Sequence, residues 1–248
     1  NTWSTYDERI GGWEGPEGYP GGHCALACLS LLSAGESWQS PRMKRALEYL
    51  AGTKVEKTYV LGLRAQVWSK LPREHPQARL LLAKDAKQLM ESISRPRASR
   101  DIMASLKTNP GYGTHTYVSA GKPAGGDHSN TQFGILGVWA AASQNLEIPK
   151  GYWMLVYRHY EVTQNGDGGW SYGGHKFGGN PAGSTPAMTC AGLASSFVAF
   201  DNLFNAEFVK CGKNPVVPVL QRGLDWFDKN YSPTQSVGGG PYYYYLYG

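Results

Sequence analysis

Polar and apolar positions alternate along this chain in one recurring order: a short polar opening, then an apolar body at helical spacing. The clearest case is Asp127-His128-Ser129-Asn130-Thr131-Gln132, followed by the apolar run from Phe133 to Ala142. That pattern predicts a helix from about His128 to Ser143. Four more segments share it. A small-residue helix is expected over 25–34, led by Gly22-His23-Cys24 and stopped by Gly35. Another opens at Thr58-Tyr59 and closes at Pro72. A third runs from Ala187 to Phe200 behind Ser184-Thr185-Pro186, and a last one begins at Pro241. Between them lie segments with charge on one face: Arg42 to Leu50, 76–94, Lys150 to Val162 and Val216 to Asp228. Ser40-Pro41 is a helix start, with Ser as the cap and Pro at the first helical position.

Residues 96–126 are rich in Pro, Gly and Ser and predict an irregular connection, with a hairpin at Thr114–Ser119. The resulting grammar is an inner helix of small and apolar residues, then an outer charged helix, then a Gly-rich loop. Inner starts fall near His23, Tyr59, His128, Thr185 and Tyr242. A two-helix unit cannot bury both its faces, so neighbouring units must stack. The fold class is therefore expected to be all-α, and the 248 residues one domain. The opening at Asn1 and the ending in Tyr-Tyr-Tyr-Tyr-Leu-Tyr-Gly both read as cuts, so the chain is expected to be part of a larger protein.

Composition narrows the function classes. The net charge is only +5, and the cations fall mainly on segments 42–45 and 64–100, which read as outer helix faces. No Lys/Arg cluster reaches the density of a nucleic-acid footprint, so nucleic acid is not an expected partner. No apolar run reads as long enough to span a bilayer, no signal peptide is present, and the compartment stays open. The four cysteines Cys24, Cys28, Cys190 and Cys211 form no CxxC pair. Buried free thiols are the simplest reading, and a bridge from Cys24 or Cys28 to Cys190 stays open.

Gln164-Asn165-Gly166-Asp167-Gly168-Gly169-Trp170 resembles the QW motif of the squalene/hopene cyclase and protein prenyltransferase repeat superfamily. Gly11-Gly12-Trp13 resembles the tail of a second copy, and Gly238-Gly239-Gly240 a copy without its Trp. The resemblance implies an α/α toroid, partial or complete, of about four to five helical hairpins. It also implies a structural role for Gln164, Gly168 and Trp170, and a central cavity for an elongated, largely apolar, isoprenoid-like ligand. In that family an inner helix start carries the DxDD acid. Here Asp127 keeps the first Asp, while Ser129 and Asn130 stand where carboxylates would be needed, and neither is a strong general acid. The zinc ligands of the prenyltransferases are not matched either, so no metal and no cofactor is expected.

Polar residues at the predicted cavity mouth are His23, Tyr59, Asp127, His128, Asn130, Gln132, Thr185 and the tyrosines around Tyr243 and Tyr244. Asp127 and His128 are the candidate acid/base residues. Their adjacency on a helix start points them in different directions, so they are not expected to bond each other. Asp127 or Ser129 is expected to cap the helix, with Asn130 and Gln132 tying adjacent helices. His23 is expected to bond a helix end. His75, His159 and His175 are expected on outer or loop surfaces. Two other readings remain open: a noncatalytic binding or scaffold module of a larger protein, and a carbohydrate-active α/α toroid suggested by the tyrosine-rich mouth.

Overall fold

A computed structural model describes residues 18–96, 101–119, 126–172, 183–211 and 217–232, with the side chains of 205–211 left aside. Nine helices lie among them: α1 (Gly22–Ser33), α2 (Pro41–Gly52), α3 (Thr58–Lys70), α4 (Ala78–Ser92), α5 (Ile102–Thr108), α6 (His128–Ser143), α7 (Lys150–Thr163), α8 (Pro186–Cys211) and α9 (Pro218–Asn230). The all-α expectation holds for the described residues. The short helix α5 falls in the segment read as irregular; Asp101 caps it by accepting a bond from the Ala104 N–H at 3.0 Å. The hairpin expected at Thr114–Ser119 does not form. His115 instead makes an isolated bridge to Asp127, and Val118 makes one to Lys57. The Gly-rich stretches at 11–13 and 238–240, His175 and the final tyrosines, Tyr243 and Tyr244 among them, lie outside the described residues.

The described residues gather into two compact units. The first takes residues from 18–92, 117–119 and 133–148. In it α1 packs on α2 and α3, and α3 packs on α4. Glycine sets the approach between α3 and the body of α6. A Cβ on Gly62 would run into the Phe133 carbonyl, and one on Gly137 would stand 2.9 Å from the Gly62 Cα and 2.5 Å from Leu89 Cδ1. The small-residue character of these helices thus has a local cause: backbones meet where a methyl group cannot fit. Gly62→Ala is expected to cost about 1–3 kcal/mol by overpacking, read as a lower urea midpoint at unchanged slope. An unaltered midpoint would show that the two helices separate freely.

Arg64 corrects the reading of its segment as an outer face. It lies within the buried stripe of α3, beside Leu61, Val67 and Trp68. Its Nε and Nη2 donate to the two carboxylate oxygens of Asp85 on α4, at 2.8 and 2.7 Å. Nη1 donates to the Leu50 and Thr53 carbonyls at the end of α2, and Trp68 Nε1 donates to Asp85 as well. Four of the five guanidinium N–H groups are bonded and both carboxylate oxygens accept, which is the condition under which burying two charges is tolerated.

The second unit takes described residues from 93–116, 126–132 and 149–232. Here α7 packs on α5 and α8, and α8 packs on α9. Within α8 the stretch Pro186–Phe204, 19 residues, is long and apolar enough to cross a membrane by length and composition, which corrects the statement that no such run exists. It is 61% buried, as the central helix of a packed unit would be. Cys24, Cys28 and Cys190 are buried free thiols.

Candidate functional site

The first turn of α6 is organised by Asp127. Its Oδ1 accepts from the Asn130 N–H at 2.8 Å and from the Ser129 hydroxyl at 2.5 Å, while Oδ2 accepts from the Asn130 side-chain amide at 2.8 Å. Asp127 is therefore the N-cap, with its own carboxylate held by the two residues that stand where the resembled family has acids. Aspartates at both positions would crowd three negative charges where two donors now sit. Asn130 bonds within its own turn rather than across to a neighbouring helix, which corrects that expectation. The Asp127 carbonyl accepts from Thr131 Oγ1, which in turn accepts from the His115 N–H at 2.9 Å. That chain of bonds seats residues 114–115 against the start of α6.

His128 points away from Asp127, as helix geometry requires, into the second unit. Its side chain is fully enclosed. Nδ1 donates to the Ser171 carbonyl at 2.6 Å, and Nε2 lies 3.1 Å from Nε2 of His159. His159 is the functional candidate that the sequence reading misplaced. It is 2% exposed on α7, not on an outer surface, and its Nδ1 donates to the Pro110 carbonyl at 2.9 Å. Thr163, one turn on, brings Oγ1 to 3.4 Å from His128 Nε2 and donates to the His159 carbonyl at 2.8 Å. Gly113, with φ +83°, packs on the His159 Cβ, where a side chain of its own would collide. Tyr160 stacks near both rings, with centroids 5.0 Å from each.

Burial decides the charge state of this cluster. It pushes His128 down to about 4, against the opposite pull of the Ser171 carbonyl and the Asp127 charge. Burial, then the neighbouring His128, push His159 down to about 3, and burial alone does the same to His115. All three are neutral imidazoles at pH 7. Burial likewise raises the Tyr152 and Tyr160 phenols, which stay protonated. His115 Nε2 lies 3.3 Å from the Tyr152 hydroxyl. Four buried atoms in this unit have no partner among the described residues: Asn130 Oδ1, Tyr160 Oη, Ser195 Oγ and Ser196 Oγ. Ser195 approaches Tyr160 without reaching hydrogen-bond geometry.

The other expected residues fall elsewhere. His23 is exposed on the first turn of α1 and makes no hydrogen bond among the described residues, so the expected helix-end bond is not formed. Tyr59 is half-buried, its ring packed on Phe133 at 4.6 Å and near Tyr117 at 6.1 Å. Gln132 is buried. Thr185 accepts from the Met188 N–H at 3.3 Å and is the cap of α8. His75 is half-buried, edge-on to Trp38. Trp170 is fully buried: Nε1 donates to the Tyr160 carbonyl at 3.0 Å, and its ring lies on Gly192 and Gly223. Gln164 Nε2 donates to the Gly168 and Val219 carbonyls at 2.7 and 2.8 Å, and its Oε1 accepts from Arg222. This turn therefore binds α7 to α9 around a central indole.

In the first unit a cavity of about 350 Å³ opens between Trp68, Leu71, Arg73, Arg79, Leu82 and Gln144. None of the expected site residues lines it. Among the described residues no three His, Cys, Asp or Glu side chains gather as a metal cluster. A scan of the chain against protein-family models finds no match, and a search among curated proteins finds none either.

Proposed function

We propose that the chain is an α/α toroid of the terpenoid cyclase and prenyltransferase kind, binding an elongated, largely apolar, isoprenoid-like molecule without an assigned reaction. The observation that carries this is the surface of α6. The helix is buried on nearly every side, yet leaves Leu136, Trp139 and Ala142 accessible at three-residue spacing, with Trp139 42% exposed. Single exposed apolar side chains are ordinary. An apolar stripe along a helix that is otherwise interior is not, because it would be expected to find a partner. Within the same unit, α1 presents Leu26 and Leu29 in the same manner, and within the other unit α8 presents Phe197 and Phe200. These are the helices whose polar starts define the repeat. Asp127, engaged as a cap by three donors, supports binding rather than protonation chemistry.

The test is a titration with geranylgeraniol, followed by intrinsic fluorescence, beside a Trp139→Ala variant and an oligosaccharide. Saturable binding of the isoprenoid is expected, weakened at least about tenfold, or 1.4 kcal/mol, in the variant at an unchanged melting temperature. Saccharide binding alone would move the reading to a carbohydrate-active toroid. Binding of neither would leave a scaffold module.

A further inference from the structure

We infer that the cavity of the first unit is a binding site for a small organic carboxylate with an apolar body, its head held by Arg73 and Arg79. The cavity holds about 350 Å³, at the small end of the range for ligand pockets, about 300–1,000 Å³. It is formed where three helix ends meet: the end of α3, the start of α4 and the end of α6. Long-range bonds fix those ends. Arg79 Nη1 and Nη2 donate to the Gln144 and Asn145 carbonyls at 2.9 and 3.4 Å. Gln144 Nε2 donates to the Ser69 carbonyl at 3.0 Å. The cavity is therefore shaped by the packing of the unit itself, as a pre-formed pocket is.

The lining divides by chemistry. Trp68, Leu71 and Leu82 are buried residues that give it an apolar floor. Trp68 Nε1 already gives its hydrogen to Asp85 at 2.9 Å, so the indole brings no free donor to the cavity. Arg73 and Arg79 are exposed and line it on the solvent side. No Asp or Glu is among the lining residues, so two positive charges border the cavity without a counter-charge. Among the described residues Arg73 makes no hydrogen bond or ion pair. Arg79 spends one hydrogen of each Nη on the two carbonyls and leaves Nε without a partner among the described residues. The Nε and Nη2 edge of a guanidinium is one that takes both oxygens of a carboxylate. The start of α4 adds little to this, because His75 Nδ1 already accepts from the Ala78 N–H at 3.1 Å. A charged head on an apolar body satisfies both parts of the lining; a neutral apolar molecule or a bare anion satisfies only one. None of the residues invoked for the isoprenoid lines this cavity, so the two readings stand or fall separately.

The experiment titrates the whole chain with cinnamate by calorimetry and follows the indole N–H resonances. Beside it run cinnamamide, which lacks the charge, and acetate, which lacks the apolar body. One cinnamate per chain is expected, with the Trp68 resonance shifted and that of Trp170, in the other unit, unmoved. Cinnamamide and acetate should each bind at least about tenfold more weakly, the scale of one charge-assisted hydrogen bond or one buried apolar group. Arg73→Gln and Arg79→Gln should each weaken cinnamate by at least about tenfold as well. Arg79→Gln also removes two bonds to the end of α6, whereas Arg73→Gln breaks none among the described residues and covers the case in which the first variant does not fold. Arg42→Gln, at an exposed arginine of α2 that does not line the cavity, should bind as the unaltered chain does. Absence of saturable cinnamate binding would overturn the assignment. So would equal binding of cinnamamide or acetate, equal binding by a folded Arg73→Gln variant, or saturation with the Trp68 resonance unmoved.

Discussion

Lowering the pH from 7 is expected to unfold the protein steeply, with the loss beginning near pH 6. Three enclosed histidines set this. The native values are about 3 for His115, about 4 for His128 and about 3 for His159. An unfolded histidine titrates near 6.5. Above that value neither state takes up a proton at these sites. Below it the unfolded chain binds protons that the native chain refuses, so the stability contributed by the neutral rings is lost as the pH falls toward the native values. Each ring contributes a slope of roughly 1.4 kcal/mol per pH unit within that window, and three together about 4 kcal/mol per unit. A total stability of about 5–15 kcal/mol is exhausted within a few units. The measurement is the urea midpoint at pH 7, 6, 5 and 4.5, followed by circular dichroism. His115→Leu should flatten the slope by about one third. A midpoint constant from pH 7 to 5 would mean that the three rings are solvated in the native state.

Trp170→Ala is expected to destabilise the protein by about 3–5 kcal/mol, the range for loss of a fully buried large aromatic. Its indole fills the space among α7, α8 and α9. Glycines at 192 and 223 are needed to admit it, since a Cβ at either would lie 2.5 or 2.9 Å from ring carbons. Removing the ring leaves a cavity that these glycines cannot close. It also leaves the Tyr160 carbonyl without its donor. Trp170→Phe should lie between, losing the hydrogen bond but keeping much of the packing. Thermal melts of the three proteins decide it. A Trp170→Ala melt identical to that of the unaltered chain would show that the three helices are held together elsewhere.

Much of the local structure could be read from the chain because its cause is local. Ser40-Pro41, Thr185-Pro186 and Asp127 each cap a helix as their types predict, and the helix read over His128–Ser143 has those bounds. What escaped depended on which face of a helix its neighbours cover. The charges of its segment put His159 on an outer face by residue type. Yet it follows Tyr152 and Val156 and precedes Thr163 at three- and four-residue steps, so it lies on the buried stripe of α7. That spacing was the available signal. Arg64 shares its stripe with Leu61 and Trp68 in the same way. In both cases residue type suggested solvent, while position implied the interior. The partner that reconciles the two, Asp85 or His128, lies 21 or 31 residues away and cannot be paired by local pattern. The short helix α5 was hidden by the Pro and Gly residues around it.

The guanidinium of Arg64 has a consequence for the order of assembly. It joins the end of α2, the middle of α3 and Asp85 of α4 at one point. During synthesis, a chain that has emerged only through α3 holds a cation on an apolar face with carbonyls to bind but no counter-charge. Burying it in that state carries the full cost of an unpaired charge. The Arg64 side of α3 is therefore expected to close on the end of α2 only after Asp85 has left the ribosome, when its counter-charge is at hand.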